Sequence, residues 1–239
     1  MAFKKIDAPS IKELFLSQIE EQILSGELKP GDRLPSERDL ADAMGISKTI
    51  VHEGIRDLAR RGFLNVESRK GVYVADYTTT GNMDTLFAII RYRGDMPDTK
   101  MLISLLDTRI YLECPALTIL AKKHTAEDIA KLEALLADVH IAISSDAVTF
   151  ANALFLYRRT IVSLSGNCIS PLIMNAFFTS SISAWTYYVE YTGQQTIYDT
   201  LEQTTEYIKA GDSESAIRLF QECIERYKRH LSESARNLS

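Results

Sequence analysis

A chain of 239 residues with 46% hydrophobic content is expected to fold as two domains of ordinary size, each with a real core. No stretch approaches the roughly 18 to 20 apolar residues of a membrane span, and MAFKKIDAPS has no apolar run after its lysines, so neither a transmembrane helix nor a secretory leader is expected. A net charge of −5 argues against indiscriminate coating of nucleic acid, although its distribution along the chain does not argue against reading it.

The first predicted element is a helix over 10–25, with Ile11, Leu14, Ile19 and Ile23 facing inward and Glu13, Glu20 and Glu21 facing water. A short helix follows, capped by Ser36, with Leu40, Ala41 and Met44 at helical spacing and Gly45 where a left-handed stop belongs. Ser47 caps the next helix, whose inward stripe is Ile50, Val51, Gly54, Ile55 and Leu58. At about 100° per residue, Thr49, His52, Glu53, Arg56 and Arg60 project from the opposite face, with Lys48 in the first turn. Gly62 ends this helix; Phe63, Leu64 and Val66 begin a strand, and Val72, Tyr73 and Val74 return as its partner around Arg69 and Lys70.

Two short helices around a Gly turn, followed by a basic-tipped hairpin, outline a winged helix-turn-helix. A recognition helix reads base edges mainly with its first residues, so Lys48, Thr49 and His52 are the first candidates for base contact. The hairpin cations suit phosphates or a minor groove. Taken alone, an amphipathic segment such as 47–61 is usually just a solvated surface helix. Between 47 and 71, however, six cations stand against three acids, a modestly basic face on an acidic protein. Double-stranded DNA is the partner this implies.

The polar stretch 75–83 contains the predicted linker, at 77–83, which separates residues 1–76 from 84–239. Beyond it no strand alternation appears. Amphipathic segments run over 84–93, 98–123, 126–144, 146–165, 169–192, 195–210 and 213–236, broken by a Thr125/Asp128 capping pair, by Ser165-Gly166-Asn167 and by Gly211-Asp212-Ser213. The fold class expected is mainly α: a winged helix-turn-helix with a small β hairpin, then an all-α helical bundle. Cys114, Cys168 and Cys223, odd in number and far apart, read as reduced thiols in a cytoplasm. Trp185, Tyr187, Tyr188 and Tyr191 enrich one helix in aromatics, which serves a core or dimer interface as readily as a ligand pocket.

GELKPGDRLPSERDLADAMGIS, the Arg56-Asp57-Leu58 run and the Gly-Val-Tyr-Val strand resemble the N-terminal domain of the GntR family of bacterial transcription regulators over about residues 10–75. The resemblance implies phosphate or base contacts for Arg38, for Ser47, Lys48 and Thr49 at the start of the recognition helix, and for the wing tip at Arg69, Lys70 and Gly71. The family's Ser-Arg-x-x-x-Arg-Glu-Ala pattern is altered here. Lys48 lacks the planar fork of arginine, His52 replaces a fixed cation, Gly54 stands for alanine, and Arg69 takes the first Gly position of the wing.

LLDTRIYLECPALTILAKKHTAEDIAKLEALL, SLSGNCISPLI and AGDSESAIRLF are similar to the helical effector domain of the FadR subfamily. That resemblance implies a homodimer that binds a small acid or acyl thioester in the bundle. Many relatives hold a divalent metal with one Asp and three His, but the matching positions here are Leu154, Arg158, Leu201 and Cys223, so no metal or other cofactor is expected. The four histidines, His52, His124, His140 and His230, lack ligand spacing. Arg158, next to Tyr157, stands where a metal-binding His would point inward; its counter-charge is either a carboxylate-bearing ligand or an internal acid such as Glu113 or Glu190. Arg109 lies where the family lines its effector pocket, with Glu113 at i+4 as an ordinary alternative partner.

These readings combine into a cytoplasmic, homodimeric repressor whose operator binding answers to an organic acid, with Arg109, Tyr157, Arg158, Trp185 and Tyr188 as the effector-site candidates. An acyl-CoA-responsive regulator of fatty acid metabolism is one alternative, although CIERYKRHLSES lacks the Gly, Ser and Trp that the subfamily's namesake places near its thioester. A small-molecule enzyme with a vestigial DNA-binding module is another. Against it, residues 84–239 show no acid–base pair, activated nucleophile or phosphate loop at a useful spacing.

Overall fold

The computed structural model describes residues 9–93 and 99–236, so residues 1–8, on which the expectation of no secretory leader rests, and residue 98, expected as a helix start, lie outside the described residues. The chain forms two units, Met1–Gly94 and Asp95–Ser239.

In the first unit, α1 (Ile11–Ser25) opens with a capping box between Ser10 and Glu13 and closes on left-handed Gly26. Its inward stripe is Phe15, Leu16, Ile19 and Ile23. This corrects the expected register, because Ile11 and Leu14 are more than half exposed. It also corrects Glu20, which is buried because Arg61 Nη1 donates to its Oε1 at 2.6 Å. The helices α2 (Glu37–Met44) and α3 (Lys48–Arg60) carry the expected Ser36 and Ser47 caps, with Gly45 left-handed between them. Val51, Ile55 and Leu58 of α3 are almost wholly buried.

The hairpin strands β1 (Leu64–Glu67) and β2 (Gly71–Val74) pair antiparallel from Leu64↔Val74 to Glu67↔Gly71. An isolated bridge, Arg33↔Tyr73, lies on the other edge of β2, where Leu34 N–H donates to the Val72 carbonyl at 2.9 Å. Next come α4 (Tyr77–Thr80) and α5 (Met83–Arg93). The division between units therefore falls later than the expected linker at 77–83. Tyr77 packs its ring on Phe63, Asn82 Nδ2 donates to the Arg60 carbonyl at 2.8 Å, the Thr85 hydroxyl donates to the Arg61 carbonyl, and Ala88 joins the first core. A polar stretch is read as a linker when its hydrogen bonds to distant backbone cannot be seen.

The second unit is all helical among the described residues: α6 (Thr99–Lys123), α7 (Ala126–Ala142), α8 (Ala147–Leu164), α9 (Ser170–Ala176), α10 (Phe178–Thr192), α11 (Gln194–Lys209) and α12 (Ser213–Arg236). The Thr125/Asp128 capping box forms, and Gly166 and Gly211 take positive φ at their helix ends. The single segment expected over 169–192 is two helices, broken at Phe177 (φ −97°, ψ 11°), after which Phe178 meets Phe155 edge-on at 4.9 Å. At the centre lies α8, with Phe150, Ala151, Leu154, Phe155, Tyr157, Arg158, Thr160, Ile161 and Val162 all buried. The buried face of this helix is held in place by packing, and a charge on that face, such as Arg158, must find a partner inside.

Candidate DNA-reading face and effector cavity

In the first unit, the cap at Ser47 starts the recognition helix: its hydroxyl oxygen accepts from the Ile50 N–H at 3.3 Å. With Val51, Gly54, Ile55 and Leu58 turned inward, the period of the helix leaves Lys48, Thr49, His52 and Arg56 exposed together. Among the described residues, Lys48, Arg56 and Arg69 form no ion pair, so their charges are available to a polyanion. Arg38 is 85% exposed and only 3.9 Å from Asp42, a loose surface pair that a phosphate would displace. His52 differs: its Nδ1 lies 2.7 Å from Glu37 Oε1, which holds the ring across from α2 and leaves the other nitrogen for a base or phosphate.

The wing tip is built from Arg69, the only non-Gly residue of positive φ among those described (φ 64°), and from Lys70, 3.2 Å from Glu67. Gly71, at φ 134°, is held against the Arg33 guanidinium so closely that a Cβ there would lie 2.8 Å from Arg33 Nε. Arg33, exposed and outside the expected site list, thus joins Arg69 and Lys70 at the wing. Its neighbours at the wing are far along the chain, so spacing gives no sign of it.

Gly54 has a different reason for being glycine. Its would-be Cβ lies 2.4 Å from Cδ1 and Cε1 of Phe15, so α1 presses an aromatic ring edge against α3 where a methyl would otherwise stand.

In the second unit, three charged side chains meet inside the bundle. Glu113 is fully buried; Arg109 Nε donates to its Oε1 at 2.7 Å, and Arg158 Nη1 stands 3.6 Å from Oε2, too far for a hydrogen bond. The internal-acid alternative is therefore met for Arg109 and only partly for Arg158, in both cases by Glu113. Among the described residues, Glu113 Oε2, Arg158 Nε and Arg158 Nη1 have no hydrogen-bond partner although they are buried. Two guanidiniums face one carboxylate, which leaves an excess positive charge and unmet donors in a low-dielectric interior. Aromatic faces relieve part of this: Arg109 lies 4.3 Å from the Trp185 ring centroid and Arg158 5.0 Å from that of Phe220.

Arg109 and Arg158 line one cavity with Leu154, Trp185, Tyr188, Thr200, Phe220 and Cys223. A second cavity, walled by Leu102, Leu106, Phe155, Met174, Phe177 and Ala184, shares Arg109, Trp185 and Tyr227 with the first. Each offers about 30 Å³ of clear space, enough for roughly two waters.

Among the expected effector residues, Arg109, Arg158, Trp185 and Tyr188 come together, and Tyr157 does not. Tyr157 is wholly buried with its hydroxyl at 2.7 Å from Thr205 Oγ1 and 3.2 Å from the Leu201 carbonyl, a bond that ties α8 to α11. One residue along a helix is a turn of about 100°, which takes Tyr157 off the face Arg158 presents. Tyr187 and Tyr191 are also turned elsewhere, stacking on His230 at 5.6 and 3.5 Å. Phe220 and Tyr227, absent from the expected list, belong to an apolar stripe of α12 (Phe220, Cys223, Ile224, Tyr227, Leu231) that periodicity can reveal.

Of the four positions matching the metal site of relatives, Leu154, Arg158 and Cys223 line the first cavity and Leu201 is fully buried. A cation, two hydrocarbons and one thiol do not fit a divalent ion. Among the described residues no three His, Cys, Asp or Glu side chains form a metal-holding group. Burial, reinforced by the Glu113 carboxylate, pushes the Cys114 thiol up to about 11, so it stays protonated.

Comparison with known proteins adds the following. Residues 16–74 match the family described as bacterial regulatory proteins, gntR family, and residues 104–226 match the FCD domain. The chain is 27% identical over 179 residues to the HTH-type transcriptional regulator Mce2R of Mycobacterium tuberculosis, covering 74% of this chain and 72% of that one. It is also 27% identical over 155 residues to the fatty acid metabolism regulator protein of Salmonella paratyphi B, covering 65% and 62%. Among solved structures, Lar of Listeria monocytogenes, described as controlling expression of the agr system, superposes with a TM-score of 0.60 at 16% identity over 95% of this chain and 99% of that one, a likeness of fold.

Proposed function

Because this chain belongs to the GntR family of bacterial transcription regulators and carries an effector-binding FCD domain, we infer that it is a cytoplasmic, homodimeric repressor released or tightened by a carboxylate-bearing small molecule seated at Arg158. The observation that carries the effector reading is the buried guanidinium of Arg158, whose Nε and Nη1 lack hydrogen-bond partners among the described residues while it lines a cavity and stands 3.6 Å from Glu113 Oε2. A carboxylate placed there satisfies both donors in bidentate form and balances the excess charge of the Arg109–Glu113–Arg158 cluster. No metal is needed for this, and none enters the proposal. Nor is a catalytic role proposed. Among the described residues no helix is long and apolar enough to cross a membrane, in keeping with a regulator that meets DNA.

On the DNA side, Lys48, Thr49 and His52 are assigned to base edges, and Arg38, Ser47, Arg56, Arg69, Lys70 and Gly71 to the backbone or the minor groove. Support comes from the exposure of all these residues but half-buried Gly71, and from Lys48, Arg56 and Arg69 forming no ion pair among the described residues. The effector acts by binding one shape of the protein better than another, since equal affinity for both would change nothing.

The test uses the full chain and an operator selected from random duplexes. Lys48→Ala or Arg38→Ala is expected to weaken binding by about 1–3 kcal/mol if the residue contacts a base; unchanged affinity would show the reading face misplaced. Arg158→Ala is expected to leave operator binding intact while removing the response to carboxylates. A variant that instead fails to fold would make Arg158 an internal partner of Glu113. A second reading, an acyl-thioester ligand, rests on the likeness to the Salmonella fatty acid metabolism regulator. It predicts a response to octanoyl-CoA that Arg158→Ala does not abolish.

A further inference from the structure

The two cavities of the helical unit differ in chemistry and share part of one wall. The first holds the unmet donors of Arg158. The second is lined almost wholly by hydrocarbon and aromatic carbon, from Leu102 and Leu106 of α6 across to Met174 and Phe177. Arg109, Trp185 and Tyr227 belong to both, with the Arg109 guanidinium stacked at 4.3 Å on Trp185. Their junction is therefore polar on one side and apolar on the other.

Resting on the carboxylate reading above, we propose that the effector is a monocarboxylic acid with an unbranched or aryl apolar arm, its head at Arg158 and its arm passing Trp185 into the second cavity. Charge selects a monoanion. Two guanidiniums against one Glu113 carboxylate leave one positive charge to balance, and a second carboxylate on the ligand would have to sit desolvated among Leu102, Leu106 and Met174. Apolar surface selects the arm, because the second cavity is walled mostly by hydrocarbon and aromatic carbon, with Arg109, Thr108 and Ser181 as its few polar side chains beside the Tyr227 hydroxyl. With only about 30 Å³ clear in each cavity, an arm enters by parting the walls, and Met174 with its unbranched thioether is the most adaptable of them. Ligand binding and bundle shape are linked by that parting.

Trp185 is the single tryptophan of the chain and stands at the junction, so its fluorescence reports occupancy without any DNA. The full-length protein is titrated with butanoate, hexanoate, octanoate, hexanedioate and hexanamide, and the affinities are checked by calorimetry. Affinity is expected to rise by up to about fourfold per methylene from butanoate to octanoate, with hexanedioate and hexanamide each weaker than hexanoate. Ser181→Leu, which fills the second cavity from its rim, should erase the gain with length while leaving butanoate binding unchanged. Phe177→Ala, which enlarges the same cavity, should move the preferred length upward, so the idea stays exposed even where Ser181→Leu folds poorly. Octanoate binding no tighter than butanoate, or a gain with length that survives Ser181→Leu, overturns the arm while the carboxylate seat stands. Failure of every acid to bind, with Arg158→Gln indistinguishable from the parent, removes the seat and the arm together.

Discussion

Replacing Gly54 with alanine sets two effects of similar size against each other. In an ordinary helix interior the change should stabilise by about 1 kcal/mol, since glycine has the greater conformational freedom to lose. Here the added methyl would lie 2.4 Å from two ring carbons of Phe15, against the roughly 3.5–4.0 Å that carbon atoms prefer. The ring is 2% exposed and enclosed by the first core, so it cannot swing away into solvent. Overpacking of this kind costs about 1–3 kcal/mol, which outweighs the propensity gain and leaves Gly54→Ala destabilised by about 1 kcal/mol. In a Phe15→Leu background the clash is relieved and the same substitution should become neutral or stabilising, so the double-mutant cycle should show a coupling on the order of 1–2 kcal/mol. Trp185 reports only the helical unit, so the measurement is hydrogen exchange of the α1 and α3 amides together with urea unfolding followed by circular dichroism. If Gly54→Ala stabilises α3 by the full propensity difference in both backgrounds, Phe15 does not press on α3 as described and the packing argument fails.

Two other substitutions probe features that the helical period alone does not show. Arg69→Gly removes a side chain from left-handed backbone (φ 64°), which should stabilise the wing by about 1 kcal/mol in thermal melts. The same change should weaken operator binding and reduce the salt slope by about one, and an unchanged slope would take Arg69 off the DNA. Tyr157→Phe removes the one phenolic proton that the Thr205 hydroxyl and the Leu201 carbonyl share, while Thr205 Oγ1 still donates to that carbonyl, and should cost about 1 kcal/mol of stability in denaturant titrations. Carboxylate affinity should be unaltered in that variant; a loss confined to affinity would return Tyr157 to the effector site.

The amino-acid sequence by itself determined the parts that depend on near neighbours. Ser36, Gly45 and Ser47 cap and stop helices through bonds to residues three or four away, and Thr125 with Asp128 does the same, so the winged helix-turn-helix and most breaks in the bundle were legible without tertiary information. The outward face of α3 was legible for the same reason, because a helix of known start has a known period. What α1 buries is another matter. Its apolar residues fill two stripes, and only the groove presented by α3 chooses Phe15 and Leu16 over Ile11 and Leu14. Glu20 is buried because Arg61, 41 residues away, meets it at 2.6 Å.

The effector site shows the same division more sharply. The residue types of Arg109, Glu113 and Arg158 announce a charged cluster, yet neither the surplus of one positive charge in a closed interior nor the unmet donors of Arg158 can be read from spacing. Tyr157 adjoins Arg158 in the chain and is held by α11 instead, while Phe220, 62 positions later, lies under the Arg158 guanidinium at 5.0 Å. Local bonding is encoded within a few residues. The balance of charge and the shape of a cavity are set by side chains from α6, α8, α10 and α12 together, and exist only once those helices have packed.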